Sequence, residues 1–187
     1  YDEHLNAPGL ARDAYEAALE LQPENLSTLR ASSRHLIKAE NWKTAERLLK
    51  RALKQEMGVT EGLRASLRHD LGVTYLSLGQ ESEGREQLMW AMDLEPGRGE
   101  TLAALRDLAF KQERWSDAFR FGEEFLLHHG ESLSHLQRAE EYYRLGSSKE
   151  LAGAHEDAQK YFRECLIYDE GHAGAHRALR ASPSESE

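Results

Sequence analysis

Small and large apolar positions recur along the chain at helical spacing. Ala11-x3-Tyr15-x2-Ala18 sets the cadence, which returns at Ala45-x3-Leu49-x2-Ala52, Gly84-x3-Leu88-x2-Ala91 and Ala158-x3-Phe162-x2-Cys165, with a variant at Ala118-x3-Gly122-x2-Phe125. Positions i, i+4 and i+7 share one face of an α-helix, so each copy marks a helix with a packing stripe. Small residues in the stripe let a partner helix approach closely, and the larger one fills the gap between neighbouring pairs. The partner helix carries its own signature: Leu71-Gly72-x2-Tyr75 precedes Gly84, and Tyr142-x2-Leu145-Gly146 precedes Ala158. The leading small residues are 34, 39, 34 and 40 positions apart, a 34-residue period with insertions of five and six residues.

This periodicity predicts ten helices, over about 8–22, 26–39, 42–56, 60–78, 82–94, 98–112, 115–128, 134–152, 155–168 and 172–181. Pro8 suits a first helical turn, and Gly79, Gly130 and Gly153 suit helix stops. Pro23 and Pro96 close two of the copies. The insertions predict longer helices beginning near Thr60 and Ser134, or longer loops before them, and these loops are the expected protease-sensitive interior sites. Ser147-x2-Glu150 has the form of a capping box, but a continuous helix to about Ala152 keeps the last full repeat at 34 residues. The opening helix reads as the second of a pair whose partner would lie upstream of Tyr1. The chain is therefore expected to be an excised part of something larger, or to begin with an incomplete pair. Residues 182–187 are polar and read as a disordered tail.

The pattern of Leu71-Gly72-x2-Tyr75 followed by Gly84, Leu88, Ala91 and Pro96 resembles the tetratricopeptide family, whose repeat runs W-x2-L-G-x2-Y, then A-x3-F, then P. No copy has the Trp: Leu29, Arg68, Leu102 and Tyr142 stand there. Ser32-Ser33 replaces Leu-Gly in one repeat and Leu105-Arg106 in another. In that last repeat Arg106 is bulky where a small residue is expected, Gly122 is small where a large one is expected, and Phe125 stands where Ala is usual. Read together, these are a volume exchange within one helix pair. The resemblance implies an all-α fold, a right-handed α-solenoid (superhelix) of stacked antiparallel helix pairs. Residues 1–181 would form the array, about four full repeats with partial repeats at both ends. It further implies a non-catalytic protein-interaction scaffold or adaptor that binds a partner peptide or helix in a concave groove. The alternative is a regulatory or targeting segment of a larger multidomain protein or enzyme.

Composition agrees with helices. Ala, Leu, Glu and Arg are abundant, β-branched residues are few, and charged residues make up 30% of the chain. The formal charge is −9, from 33 acidic and 24 basic residues. That balance argues against nucleic acid as the main ligand, because tracking a phosphate backbone calls for a basic surplus. The single cysteine, Cys165, excludes an internal disulfide and a cysteine-based zinc site. It is compatible with any compartment, the cytoplasm being slightly favoured. No apolar run approaches the roughly 20 residues that span a bilayer.

By the resemblance, the first helix of each pair lines the groove. Its stripes here would be Arg30/Arg34/Ile37, His69/Val73/Leu76, Ala103/Asp107/Phe110 and Tyr143/Ser147/Glu150. The candidate protein-binding residues are Arg30, Arg34, Lys38, His69, Val73, Ala103, Asp107, Phe110 and Tyr143; a plain solvated face would look equally mixed. The family's carboxylate clamp, built from lysines and asparagines, is absent: Asn6, Asn25 and Asn41 fall in or beside turns, and Asp70 and Glu100 stand near places where the clamp wants neutral or basic groups. What remains is a basic cluster of Arg30, Arg34, His35 and Lys38, with no acidic residue between Leu26 and Ala39. Guanidiniums one turn apart could fork a carboxylate or a phosphate; by the resemblance, the expected partner is another protein, a peptide or helix in which an acidic segment would suit the cluster. His172-x3-His176 has metal-pair spacing and His128-His129 lie near His135, yet no Cys or carboxylate pattern completes either set. No metal, cofactor or catalytic residue is expected, the oligomeric state is open, and Cys165 reads as an inert buried thiol.

Overall fold

The computed structural model describes residues 8–55 and 59–181. The tail at 182–187 and part of the loop before Thr60 therefore lie outside the described residues. Those described form ten α-helices: α1 (Pro8–Leu21), α2 (Leu26–Lys38), α3 (Trp42–Leu53), α4 (Glu61–Ser77), α5 (Glu81–Leu94), α6 (Gly99–Lys111), α7 (Trp115–His129), α8 (His135–Leu151), α9 (His155–Tyr168) and α10 (Ala173–Ala181). A short 3-10 turn, Gly130–Ser132, follows α7. There is no strand among the described residues. The chain divides into two compact units, Tyr1–Pro96 and Gly97–Glu187. Within each, consecutive helices pack against one another as antiparallel pairs.

The helix boundaries follow local chemistry. Four first helices end on a residue in the left-handed region: Glu40 (φ 55°), Gly79 (φ 76°), Glu113 (φ 57°) and Gly153 (φ 81°). In each case the following amide donates to the carbonyl five residues back: Asn41 to Leu36, Gln80 to Tyr75, Arg114 to Ala109 and Ala154 to Lys149. This satisfies carbonyls the helix leaves open. Asn25 caps α2 by accepting from the Thr28 amide at 3.0 Å, and Thr60 caps α4 by accepting from the Leu63 amide at 3.2 Å. Ser134 and Gln137 form a reciprocal capping box on α8. The six-residue insertion is thus taken up by the 3-10 turn and a 17-residue α8, with the Ser132 hydroxyl donating to the His129 carbonyl at 2.7 Å. Helix α8 runs unbroken through Ser147 and Ser148, whose hydroxyls donate to carbonyls one turn back. Gly130 has φ −52° and opens the 3-10 turn rather than taking a left-handed stop.

The cadence in the sequence is the packing of the pairs. A Cβ on Gly72 would lie 2.7 Å from Leu88 Cγ and 3.0 Å from the Gly84 carbonyl, and one on Gly84 would lie 3.0 Å from the Gly72 carbonyl. Helices α4 and α5 cross backbone to backbone there. A Cβ on Gly146 would meet the Phe162 ring at 2.6 Å, so α8 and α9 repeat the arrangement. In the α6–α7 pair the volumes exchange. A Cβ on Gly122 would come within 3.5 Å of Arg106 Cδ, and the Arg106 guanidinium lies 5.7 Å from the Phe125 ring centroid. The arginine stem fills space that a larger side chain on α7 would occupy. At the position of the family's Trp, Arg68 lies 4.4 Å from the ring centroid of Trp90 and donates to Gln87. Burial, and then Arg64, lowers its pKa. One cluster of buried side chains in the first unit centres on Leu29, Leu49, Leu67 and Leu71; one in the second centres on Ala139, Ala158, Phe162, Cys165 and Ala175.

Candidate functional site

In the first unit the first helices α2 and α4 lie side by side. Arg34 bridges them: its Nε donates to Asp70 Oδ2 at 3.2 Å and its Nη2 to Ser66 Oγ at 3.0 Å. Beside this bridge is a cleft of about 400 Å³ lined by Leu26, Ser27, Arg30, Ala31, Arg34 and Leu63. The Arg30 Nε is buried and has no hydrogen-bond partner among the described residues. Lys38 is exposed, while His69 and Val73 are half-buried on α4. The four basic residues of α2 do not form one patch. His35 is buried on another side of the helix, its ring 5.4 Å from that of Tyr15. Asp70, from a neighbouring helix, balances Arg34.

In the second unit α6 and α8 are joined in the same way. Arg106, with a side chain only 7% exposed, pairs with Asp107 at 2.9 Å and with Glu141. Arg144 reaches Glu140 at 3.1 Å and Asp107 at 3.7 Å. Burial opposes the charge on Arg144, but Glu140, Glu141 and Asp107 together raise its pKa. A cleft of about 270 Å³ opens over Arg106, Asp107, Phe110, Ala118, Arg144, Leu145 and Ser148. Phe110 is 37% exposed and packs edge-on against Trp115 at 5.0 Å. Ala103 is half-buried on the same helix.

Of the residues predicted from sequence, Arg30 and Arg34 line the first cleft, and Asp107 and Phe110 line the second. Tyr143 lines neither. Its ring is half-buried, 4.6 Å from His172 and 5.7 Å from Phe162, packed toward α9 and the start of α10. Sequence reasoning missed Ser66, Leu63, Arg144, Leu145 and Ser148. A search for opposite charges about one repeat apart would have found Arg34–Asp70 and Arg106–Glu141, which are 36 and 35 residues apart.

The histidines singled out by spacing have structural partners. His172 Nδ1 accepts from the Ala175 amide at 3.1 Å, His176 Nε2 contacts the Glu170 carbonyl at 2.8 Å, and His129 Nε2 contacts the Gly97 carbonyl at 2.7 Å. No group of three or more His, Cys, Asp or Glu able to hold a metal ion occurs among the described residues. None of the described helices is long and apolar enough to cross a membrane. Cys165 is fully buried. Burial first, with Asp169 and Glu140 adding, pushes its pKa up to about 11.

A tetratricopeptide-repeat family model matches residues 129–172. No curated protein matches the chain in sequence. Among solved structures, MamA aligns at 17% identity over 95% of this chain and 87% of its own, with a TM-score of 0.72. YrrB, described as a TPR protein with an unusual peptide-binding site, aligns at 18% identity over 94% of this chain and 85% of its own, TM-score 0.72. PilF of Pseudomonas aeruginosa aligns at 17% identity over 92% and 74%, TM-score 0.72. Residues 129–172 are a tetratricopeptide repeat, and the chain has the tetratricopeptide-repeat fold.

Proposed function

We propose that the chain is a non-catalytic protein-interaction scaffold, an array of about four full repeats that holds a peptide or helix of a partner against the faces of its first helices. The observation that carries this reading is the paired clefts. In each unit, neighbouring first helices are held side by side by an arginine bridge, and an open cleft lies beside the bridge. Repeat arrays commonly bind extended partners on the faces of their first helices. The description of YrrB as peptide-binding supports the same use of this fold. The contacts would come from Arg30, Arg34, Lys38, His69 and Val73 in one unit and from Ala103, Asp107, Phe110 and the half-buried Tyr143 in the other. Arg30 favours an acidic segment. Its guanidinium has no ion-pair partner among the described residues, and Arg34 beside it is already oriented by Asp70 and Ser66.

A fluorescence anisotropy titration with a labelled amphipathic peptide of Glu and Leu, and with its Lys counterpart, tests the reading. The parent chain should bind the acidic peptide in preference. The double change Arg30→Glu, Arg34→Glu should weaken that binding by about 2 kcal/mol, roughly 30-fold in Kd, and flatten its salt dependence. Phe110→Ala should act mainly on the dissociation rate. Equal binding of both peptides, or variants that bind like the parent, would rule out these faces as the docking site.

A further inference from the structure

A second cleft in the first unit, of about 410 Å³, lies between α1, α2 and α3, on the side of α2 away from Arg30 and Arg34. Tyr15 and Leu19 of α1, Leu36 of α2 and Leu48 of α3 supply apolar walls, and Ser32 lines it from α2. Ser32 occupies the place where better-matched repeats carry Leu71 and Leu145. Both of those leucines are buried. The smaller side chain leaves room that leucine would fill, and it puts a hydroxyl where the other repeats have hydrocarbon. Ser32 is 2% exposed, and its Oγ has no hydrogen-bond partner among the described residues. A buried hydroxyl without a partner is uncommon in native cores and is a ready acceptor or donor for a ligand group. The Tyr15 and His35 rings, tilted by 50°, add an aromatic wall. Arg47 stands at the same cleft with no hydrogen bond or ion pair among the described residues.

We propose that this cleft is a binding subsite for a phenol, the tyrosine side chain of a partner protein, separate from the first-helix faces. The ring would be buried against Leu19, Leu36 and Leu48, and its hydroxyl would pair with Ser32 Oγ. A wholly aliphatic anchor would leave that hydroxyl unsatisfied, whereas a phenol carries a rigid apolar body with a polar tip and loses few rotamers on burial. The Arg47 side chain, which lines the same cleft, would lie over the outer part of the ring. The proposal does not depend on what docks against Arg30 and Arg34.

Titration of the intact chain with N-acetyl-tyrosinamide, followed through its amide chemical shifts, should move resonances of α1, α2 and α3 saturably. N-acetyl-phenylalaninamide, which lacks only the hydroxyl, should bind about 2- to 10-fold more weakly, the equilibrium counterpart of one neutral hydrogen bond. Ser32→Ala should erase that preference while the ring still binds. Ser32→Leu should fill the cleft and abolish both titrations with the helical content intact. Should the leucine variant fail to fold, the alanine comparison decides alone. Equal affinity of the two probes for the parent, a tyrosine preference that survives Ser32→Ala, or shifts confined to other helices would overturn the assignment.

Discussion

Gly62 and Gly72 stand on one helix, and their surroundings decide what a methyl group does at each. At Gly72 the new carbon meets Leu88 at 2.7 Å and the Gly84 carbonyl at 3.0 Å. Leucine can shift, but the backbone carbonyl can do so only by parting α4 from α5. Gly72→Ala should therefore cost about 1–3 kcal/mol by overpacking, read from urea unfolding. Gly62 has nothing within 4 Å, so Gly62→Ala should leave stability unchanged or raise it by about 0.5 kcal/mol through reduced chain entropy. Reversed signs would place the helix crossing elsewhere. Cys165 makes a second residue-scale case. Its thiol is held protonated by burial, with a pKa of about 11 against the ordinary 9.0. At pH 8 this leaves about 100-fold less thiolate than an ordinary cysteine, so alkylation by iodoacetamide should be slower by at least that factor until the chain unfolds. A raised acid pKa favours the folded state below the unfolded value, and that contribution fades as pH climbs from about 9 to about 11. Native alkylation at the rate of free cysteine would mean that the thiol is not buried.

At the scale of elements, the ends of the first helices carry the repeat as faithfully as the packing stripes do. The left-handed residues Glu40, Gly79, Glu113 and Gly153 follow one another at 39, 34 and 40 positions, the same steps that separate the leading small residues of the second helices. Two of them are glutamates, which pay a steric penalty glycine escapes. Glu40→Gly and Glu113→Gly should each stabilise the chain by about 0.5–1 kcal/mol, and Gly79→Ala should destabilise it by about 1 kcal/mol, although no side chain crowds that position. Thermal melts of the three variants check the pattern, and a destabilised Glu40→Gly would mean that its side chain makes a contact worth more than the strain. The helices were legible in the sequence because their causes are local: a 3.6-residue stripe, a cap, a glycine past the end. Pairings between helices were not legible, because a lone charge on a helix face does not say which helix answers it. Arg34 reads in the sequence as part of a free basic patch, and only the fold supplies Asp70 from α4; Tyr143 reads as apolar surface, and only the fold brings Phe162 and His172 against it. Arg106 was recognised as a volume substitute for glycine, but its role as the bridge to Glu141 depends on a partner one repeat away.

At the scale of the whole molecule, the question is how far a local change travels. Each unit has clusters of buried side chains of its own, and within a unit each helix packs chiefly on the helices next to it in sequence. In such an array, stability is close to a sum of repeat terms and nearest-neighbour terms, so a defect should loosen its own pair first. Two equivalent defects test this. Gly72→Ala forces a methyl between α4 and α5, and Gly146→Ala forces one into the Phe162 ring at 2.6 Å between α8 and α9. Hydrogen exchange on Gly72→Ala should rise most in α4 and α5, next in α3, and least in α8 and α9; Gly146→Ala should give the mirror pattern. The same gradient should let either variant keep the binding behaviour of the unit it does not touch. An equal loss of protection along all ten helices in both variants would instead make the chain one cooperative unit, in which a partner bound at any cleft would stabilise every helix by the same amount.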